Sequence, residues 1–122
     1  MTQGDILIVD DNSTNLFVLR MMLRKLGHEP LEASDGLSGI ALAVEHKPQL
    51  LFMDLRMPGV DGMAAAERIR HALGQDAPPI VAVTASVTEQ QRHACASSGF
   101  AGVIEKPVDF DEVADYVRRL MS

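Results

Sequence analysis

The sequence predicts an α/β domain in which five strands alternate with five helices, the strands forming a doubly wound parallel sheet covered on both faces. Three observations carry this. Short apolar runs recur at residues 6–9, 50–53 and 80–83, as expected of strands buried on both sides. Between them, apolar residues fall at i, i+3, i+4 and i+7, the period of amphipathic helices. Gly27, Pro48, Gly74, Pro78, Gly99 and Pro107 punctuate the junctions. Alternation at this spacing requires right-handed crossovers and therefore a parallel sheet.

The elements follow in order. The first strand, residues 6–9, ends in Asp10 and Asp11. Asn12 and Ser13 are cap-type residues ahead of Leu16, Leu19, Leu23 and Leu26, and Gly27 closes that helix. Residues 28–33 read as a weaker, partly polar strand suited to a sheet edge. Ser34 or Asp35 caps a second helix whose apolar stripe is Leu37, Ile40, Ala41 and Val44. Pro48 sets off the third strand, residues 50–53, which runs straight into Asp54. A third helix spans residues 63–73, with Ala66, Ile69 and Leu73 inward and Glu67, Arg68 and Arg70 facing water. Residues 79–83 form the fourth strand, ended by Thr84, and Ser86 with Glu89 makes a capping-box pattern for a helix over residues 88–97. Residues 103–105 form the fifth strand, followed by Lys106-Pro107. Asp109 with Glu112 repeats the capping pattern, and Val113, Tyr116, Val117 and Leu120 give the last helix its buried face.

Composition narrows the function. A chain of 122 residues, 47% hydrophobic, suits a single domain over residues 1–122 with one core. No apolar run reaches the roughly 20 residues of a membrane helix, and the first residues lack a signal-peptide pattern. A soluble cytoplasmic protein is the expectation, and the lone Cys95 fits a reducing compartment. It reads as a small, inert thiol on the fourth helix. The formal net charge of −6, without a Lys/Arg cluster, argues against direct nucleic-acid binding. There is no tryptophan and one tyrosine, so a stacking platform is missing too.

The chemistry concentrates at the strand ends. The first strand delivers Asp10 and Asp11, the third Asp54, the fourth Thr84 and the fifth Lys106. In one parallel sheet these share an edge, where open α/β sheets bind ligands. Clustered carboxylates repel one another. A hard divalent cation such as Mg²⁺ resolves the conflict, because it takes carboxylate, water and phosphate oxygens. Singly, each residue has a plainer role: Asp10 and Asp11 as helix caps, Thr84 as a β-branched strand residue, Lys106 as a side chain reaching water. An ionised carboxylate at the end of a buried strand is harder to explain without a partner.

The stretches ILIVDDN, FMDLRMPGVDG, PIVAVTA and IEKPV, in this order and spacing, resemble the response-regulator receiver domain (CheY-like) of two-component signalling. The fuller spellings VDDNSTN with KLGH and PIVAVTA are most similar to receivers of hybrid histidine kinases and phosphorelays. The resemblance covers essentially the whole chain and implies the flavodoxin-like strand order 2-1-3-4-5. It implies that Asp54 accepts a phosphoryl group from a phosphohistidine on a histidine kinase or histidine phosphotransfer domain, and that small phosphodonors can replace that donor. By the same motifs, Asp11, Asp54 and the backbone carbonyl of Arg56 ligate Mg²⁺, with Mn²⁺ able to substitute. Asp10 acts mainly through a bound water, while Lys106 and Thr84 meet the phosphoryl oxygens. The Lys106-Pro107 bond is usually cis in such domains. Arg56 and Ser86 flank the path of attacking water and so bear on phosphoryl lifetime. The protein is then not a dedicated enzyme but catalyses its own aspartyl phosphorylation and dephosphorylation. Output runs to a downstream protein through the fourth helix, fifth strand and fifth helix, with room for a phosphorylation-dependent dimer there. One departure stands out: Val103 occupies the position where such domains often carry an aromatic switch residue. The expectation is a smaller or differently routed change on that face.

Four other classes fit less well. A haloacid-dehalogenase-type enzyme needs a second aspartate two residues beyond its nucleophile, where Arg56 stands. A flavodoxin-like FMN binder would meet repulsion from Asp10 and Asp11, and a P-loop is absent. A degenerate receiver acting only as a binding module is disfavoured by the intact set of Asp10, Asp11, Asp54, Thr84 and Lys106.

Overall fold

The computed structural model describes residues 2–121. In chain order it contains β1 (Thr2–Val9), α1 (Ser13–Lys25), β2 (His28–Ala33), α2 (Gly36–His46), β3 (Leu50–Asp54) and α3 (Gly62–Leu73). A 3-10 turn at Gly74–Asp76 follows, then β4 (Ile80–Thr84), α4 (Glu89–Ser97), β5 (Gly102–Glu105) and α5 (Phe110–Leu120). The five strands pair in parallel in the order β2-β1-β3-β4-β5. This is the flavodoxin-like order expected above.

The pleat divides the core into two. Leu7, Val9, Leu51, Met53, Ile80, Ala82 and Val103 face one side, where they meet Ala43 of α2, Ala65, Ala66 and Ile69 of α3, and Cys95 of α4. Ile6, Ile8, Leu50, Phe52, Val81, Val83 and Ile104 face the other, against Leu16, Leu19 and Leu23 of α1 and Val113 and Val117 of α5. The alternation along each strand follows from the two-residue period of extended chain. The central strands β3 and β4 are buried at every position. The edge strand β2 is protected differently: Pro30 interrupts its donors, and its acids are engaged. Glu32 accepts two hydrogen bonds from Arg20 (2.6 and 2.8 Å), and Glu29 accepts one from Arg24 (2.7 Å).

Every α-helix starts on a side-chain cap. Asn12, Asp35, Asp61, Thr88 and Asp109 accept from the backbone N–H three residues on, at 2.7–3.1 Å. At α4 this corrects the expected capping box: Thr88, not Ser86, is the cap, because the backbone is still extended at Thr88 and the helix begins only at Glu89.

Three other expectations change. β1 begins at Thr2, since Thr2 and Gln3 pair with His28 and Glu29 across a register shift; backbone pairing, not apolar pattern, extends it. On α2 the expected stripe is rotated. Leu37 and Val44 are 62% and 41% exposed, and the buried residues are Gly36, Gly39 and Ala43. Small residues let α2 lie close to the sheet: a Cβ on Gly39 would stand 3.0 Å from a Val9 methyl. Arg70 does not simply face water. Its guanidinium lies 4.9 Å over the Phe100 ring, with Nη2 buried and unbonded, and burial lowers its pKa.

Candidate functional site

Among the described residues, the buried polar or charged side chains are Asp10, Asp54 and Thr84, at 1%, 3% and 0% exposure. All three stand at the carboxyl ends of adjacent strands, β1, β3 and β4. Burial of three such groups at one edge is costly unless they serve one another or a ligand.

Strand parity decides which of them meet. Asp10, Asp54 and Lys106 continue the alternation of Ile6/Ile8, Leu50/Phe52 and Ile104, so they lean towards the α1/α5 side. The Lys106 Nζ accordingly sits 3.0 Å from Asp10 Oδ2 and 3.3 Å from Asp54 Oδ1. Asp10 Oδ1 accepts from the Asn12 N–H at 2.9 Å, and Asp54 Oδ1 accepts from the Arg56 N–H at 3.3 Å. Thr84 continues Ile80 and Ala82 and leans the other way. Its Oγ1 is buried with no hydrogen-bond partner. Asp11, one residue past Asp10, is exposed. The Lys106 N–H donates to the Thr84 carbonyl at 2.8 Å, which ties the base of the lysine to the end of β4. The Lys106-Pro107 bond is cis. Val103, opposite Ala82 in the sheet register, is packed with Cys95 and Phe100.

The electrostatics are strained in one direction. Asp54 is raised from 3.8 to about 6, first by burial and then by the charge of Asp10, with Lys106 pulling back. Asp10, Asp11 and Asp54 can each bring an oxygen to within 4.8 Å of the others. Three ionised carboxylates against one ammonium leave two negative charges, the charge of one divalent cation. An all-oxygen donor set suits Mg²⁺ better than softer metals. The residues present therefore fit such an ion, and the unbonded Thr84 hydroxyl fits an incoming oxygen.

The structure thus brings together Asp10, Asp54, Lys106 and, at the rim, Asp11. It keeps Thr84 at the same edge but out of their network. Sequence reasoning missed the part of Asn12, whose backbone N–H turns back on Asp10; an Asp followed two residues later by Asn was the available signal. It also missed the outward face of α1, where Phe17, Val18 and Met21 are 45%, 37% and 47% exposed. Val18 lines a cleft of about 80 Å³ with Asp10, Asn15, Lys106, Pro107 and Val108. Among the described residues no helix is long and apolar enough to cross a membrane.

Comparison with known proteins agrees with this geometry. Residues 6–118 match the family model of the response regulator receiver domain. Protein PilH of Pseudomonas aeruginosa is 33% identical over 117 residues, covering 96% of this chain and 97% of its own. The receiver domain of sensor histidine kinase PA1611 from Pseudomonas aeruginosa PAO1, solved with a magnesium ion coordinated in its active site cleft, is 31% identical with a TM-score of 0.86. That match covers 96% of this chain and 97% of that one. The receiver domain of Saccharomyces cerevisiae Ssk1, solved with the histidine phosphotransfer protein Ypd1, is 28% identical with a TM-score of 0.88. It covers 97% of this chain and 88% of the matched one. The fold, the acidic strand-end pocket and these matches agree: the chain belongs to the response regulator receiver domain family of two-component and phosphorelay signalling.

Proposed function

We propose that residues 1–122 act as one receiver unit in which Asp54 is the phosphoacceptor. The observation that carries this is the buried Asp54 carboxylate 3.3 Å from the Lys106 ammonium, inside the three-carboxylate pocket. A carboxylate oxygen of Asp54 forms the new O–P bond as the P–N bond of a phosphohistidine breaks, the electron pair returning to the imidazole nitrogen. Phosphoryl transfer depends mainly on positioning and charge stabilisation. Lys106 supplies a fixed positive charge for the phosphoryl oxygens. Thr84 brings a hydroxyl that has no competing partner.

Asp11, Asp54 and the Arg56 carbonyl would hold Mg²⁺ or Mn²⁺, with Asp10 acting through water. A bound ion supplies charge neutralisation for the transferring group. Asp10 has a second duty, holding Lys106 Nζ at 3.0 Å so that the ammonium stays at the mouth of the pocket. The donor is a histidine kinase or a histidine phosphotransfer domain, as the likeness to a receiver crystallised with Ypd1 supports. The chain catalyses its own phosphorylation and loses the group to water; it is not a dedicated enzyme. The added charge of about −1.5 to −2 draws Thr84 inward and alters the α4–β5–α5 face for a downstream protein or a second copy. With Val103 small and packed, that change runs through the α4 loop rather than through a ring. The free, buried Cys95 thiol supports a cytoplasmic setting.

Incubation with Mg²⁺ and acetyl phosphate, followed by intact mass spectrometry, tests the reading. One added phosphate, absent in Asp54→Asn, is the expected result. A wild-type protein that takes up none from acetyl phosphate or from phosphorylated histidine phosphotransfer domains would favour a purely binding module.

A further inference from the structure

We propose that Gly36, the first residue of α2, is a positioning residue for the β3–α3 loop, and that through this loop it sets how tightly the site holds a divalent cation. The inference rests on the metal site proposed above. None of the residues given a role there lies on α2.

Residues 55–61 connect Asp54 to α3. The loop is closed at its base by backbone: Leu55 N–H donates to the Val83 carbonyl at 3.2 Å, and Gly62 N–H donates to the Leu55 carbonyl at 3.1 Å. Gly62 lies hard against this turn. A Cβ there would overlap the Asp54 carbonyl oxygen and come 2.7 Å from Leu55 Cα. Further along the loop Gly36 makes the same kind of contact from outside. A Cβ on Gly36 would overlap the Val60 carbonyl oxygen and stand 3.0 Å from Val60 Cβ. The overlap is with backbone, so no side-chain rotation relieves it.

Gly36 is therefore required for close approach and not for an unusual backbone angle, since its φ lies outside the left-handed range. α2 is not free to retreat. Moving outward would open its contact with the sheet, where Gly39 abuts the Val9 methyls and Ala43 is fully buried. A side chain at position 36 must then displace the loop. Between the two glycine contacts, Leu55 and Met57 are buried, while the Arg56 backbone lies at the site with its N–H 3.3 Å from Asp54 Oδ1. Mg²⁺ demands near-ideal octahedral geometry at about 2.0–2.1 Å, so a shift of a few tenths of an ångström in a loop carbonyl weakens binding.

The test is calorimetric Mg²⁺ titration of the metal-free protein, comparing wild type, Gly36→Ala, Val60→Gly and Gly74→Ala. Val60→Gly removes the Val60 Cβ that also lies against position 36 and frees the loop backbone there, without overfilling the contact. It keeps the proposal testable if Gly36→Ala folds poorly. Gly74, at φ +56 with open space around it, is the control. Alanine there strains the far end of α3 and lowers stability without touching the loop. Gly36→Ala is expected to raise the Mg²⁺ dissociation constant about tenfold, the lower end for changes behind a metal's direct ligands. Val60→Gly should raise it less and Gly74→Ala not at all. Phosphorylation of Gly36→Ala by acetyl phosphate should recover at saturating Mg²⁺, as a positioning defect requires. Wild-type affinity in both Gly36→Ala and Val60→Gly overturns the proposal alone. A wild-type protein that binds no Mg²⁺ overturns the metal-site reading and the proposal with it.

Discussion

At Asp54 burial works against charge. Its carboxyl is raised from 3.8 to about 6, chiefly by burial. Because the folded pKa lies above the unfolded one, the stability linked to this group is fully present below about pH 3.8. It is lost as pH rises through the window from 3.8 to 6. Above that window the ionised group is a net penalty. Asp54→Asn should therefore be more stable than wild type without added metal at pH 7.5, by about 1 kcal/mol after allowance for solvent screening, and should melt correspondingly higher. Thermal melts across pH should show the gap closing as pH falls from 6 to 4. Thr84 gives a second prediction at this scale. Its hydroxyl is buried and unbonded, and such a group costs about 1–3 kcal/mol. Thr84→Val, nearly isosteric, should leave the unphosphorylated protein as stable or about 1 kcal/mol more so. The phosphorylated form should lose its extra protection from amide exchange around residues 84–88.

At the scale of elements, legibility tracked how strongly one pattern dominated. The cores of β1, β3 and β4 were plain from continuous apolar runs, and with them the strand-end placement of Asp10, Asp54 and Thr84. The facing of α2 is hidden in the sequence because Leu37 and Val44 look like core residues, while the true contact side is built from Gly36, Gly39 and Ala43. Hydropathy does not register a face chosen for closeness. Val44→Lys on α2 should accordingly change stability by no more than about 0.5 kcal/mol, measured by urea unfolding. α4 is the converse case. Its one buried residue is Cys95, and its C-terminal end is held instead by Phe100 under the Arg70 guanidinium. That contact joins residues thirty positions apart, which no local period reveals. Arg70→Ala should cost about 1–2 kcal/mol and speed amide exchange in residues 95–101 before the rest of the molecule.

For the whole molecule, a cation held at the proposed site would link metal to fold. If Mg²⁺ binds only the folded state, stability rises with its concentration, by about 2.7 kcal/mol at a hundredfold excess over the dissociation constant. Melting temperature should climb with added Mg²⁺, fall back on chelation, and barely respond in Asp54→Asn. The two-sided core adds a mechanical consequence. Lys106 and Asp54 belong to the half of the interior shared with α1 and α5, Thr84 to the half shared with α2, α3 and α4. The five-stranded sheet separates the halves like a partition, and in the unmodified protein no side-chain hydrogen bond from Thr84 crosses its rim. A phosphoryl group on Asp54 that touches both Lys106 and Thr84 would act as a clasp over that rim. Its mark would be a stiffening of both halves together, felt in helices that never contact the phosphate.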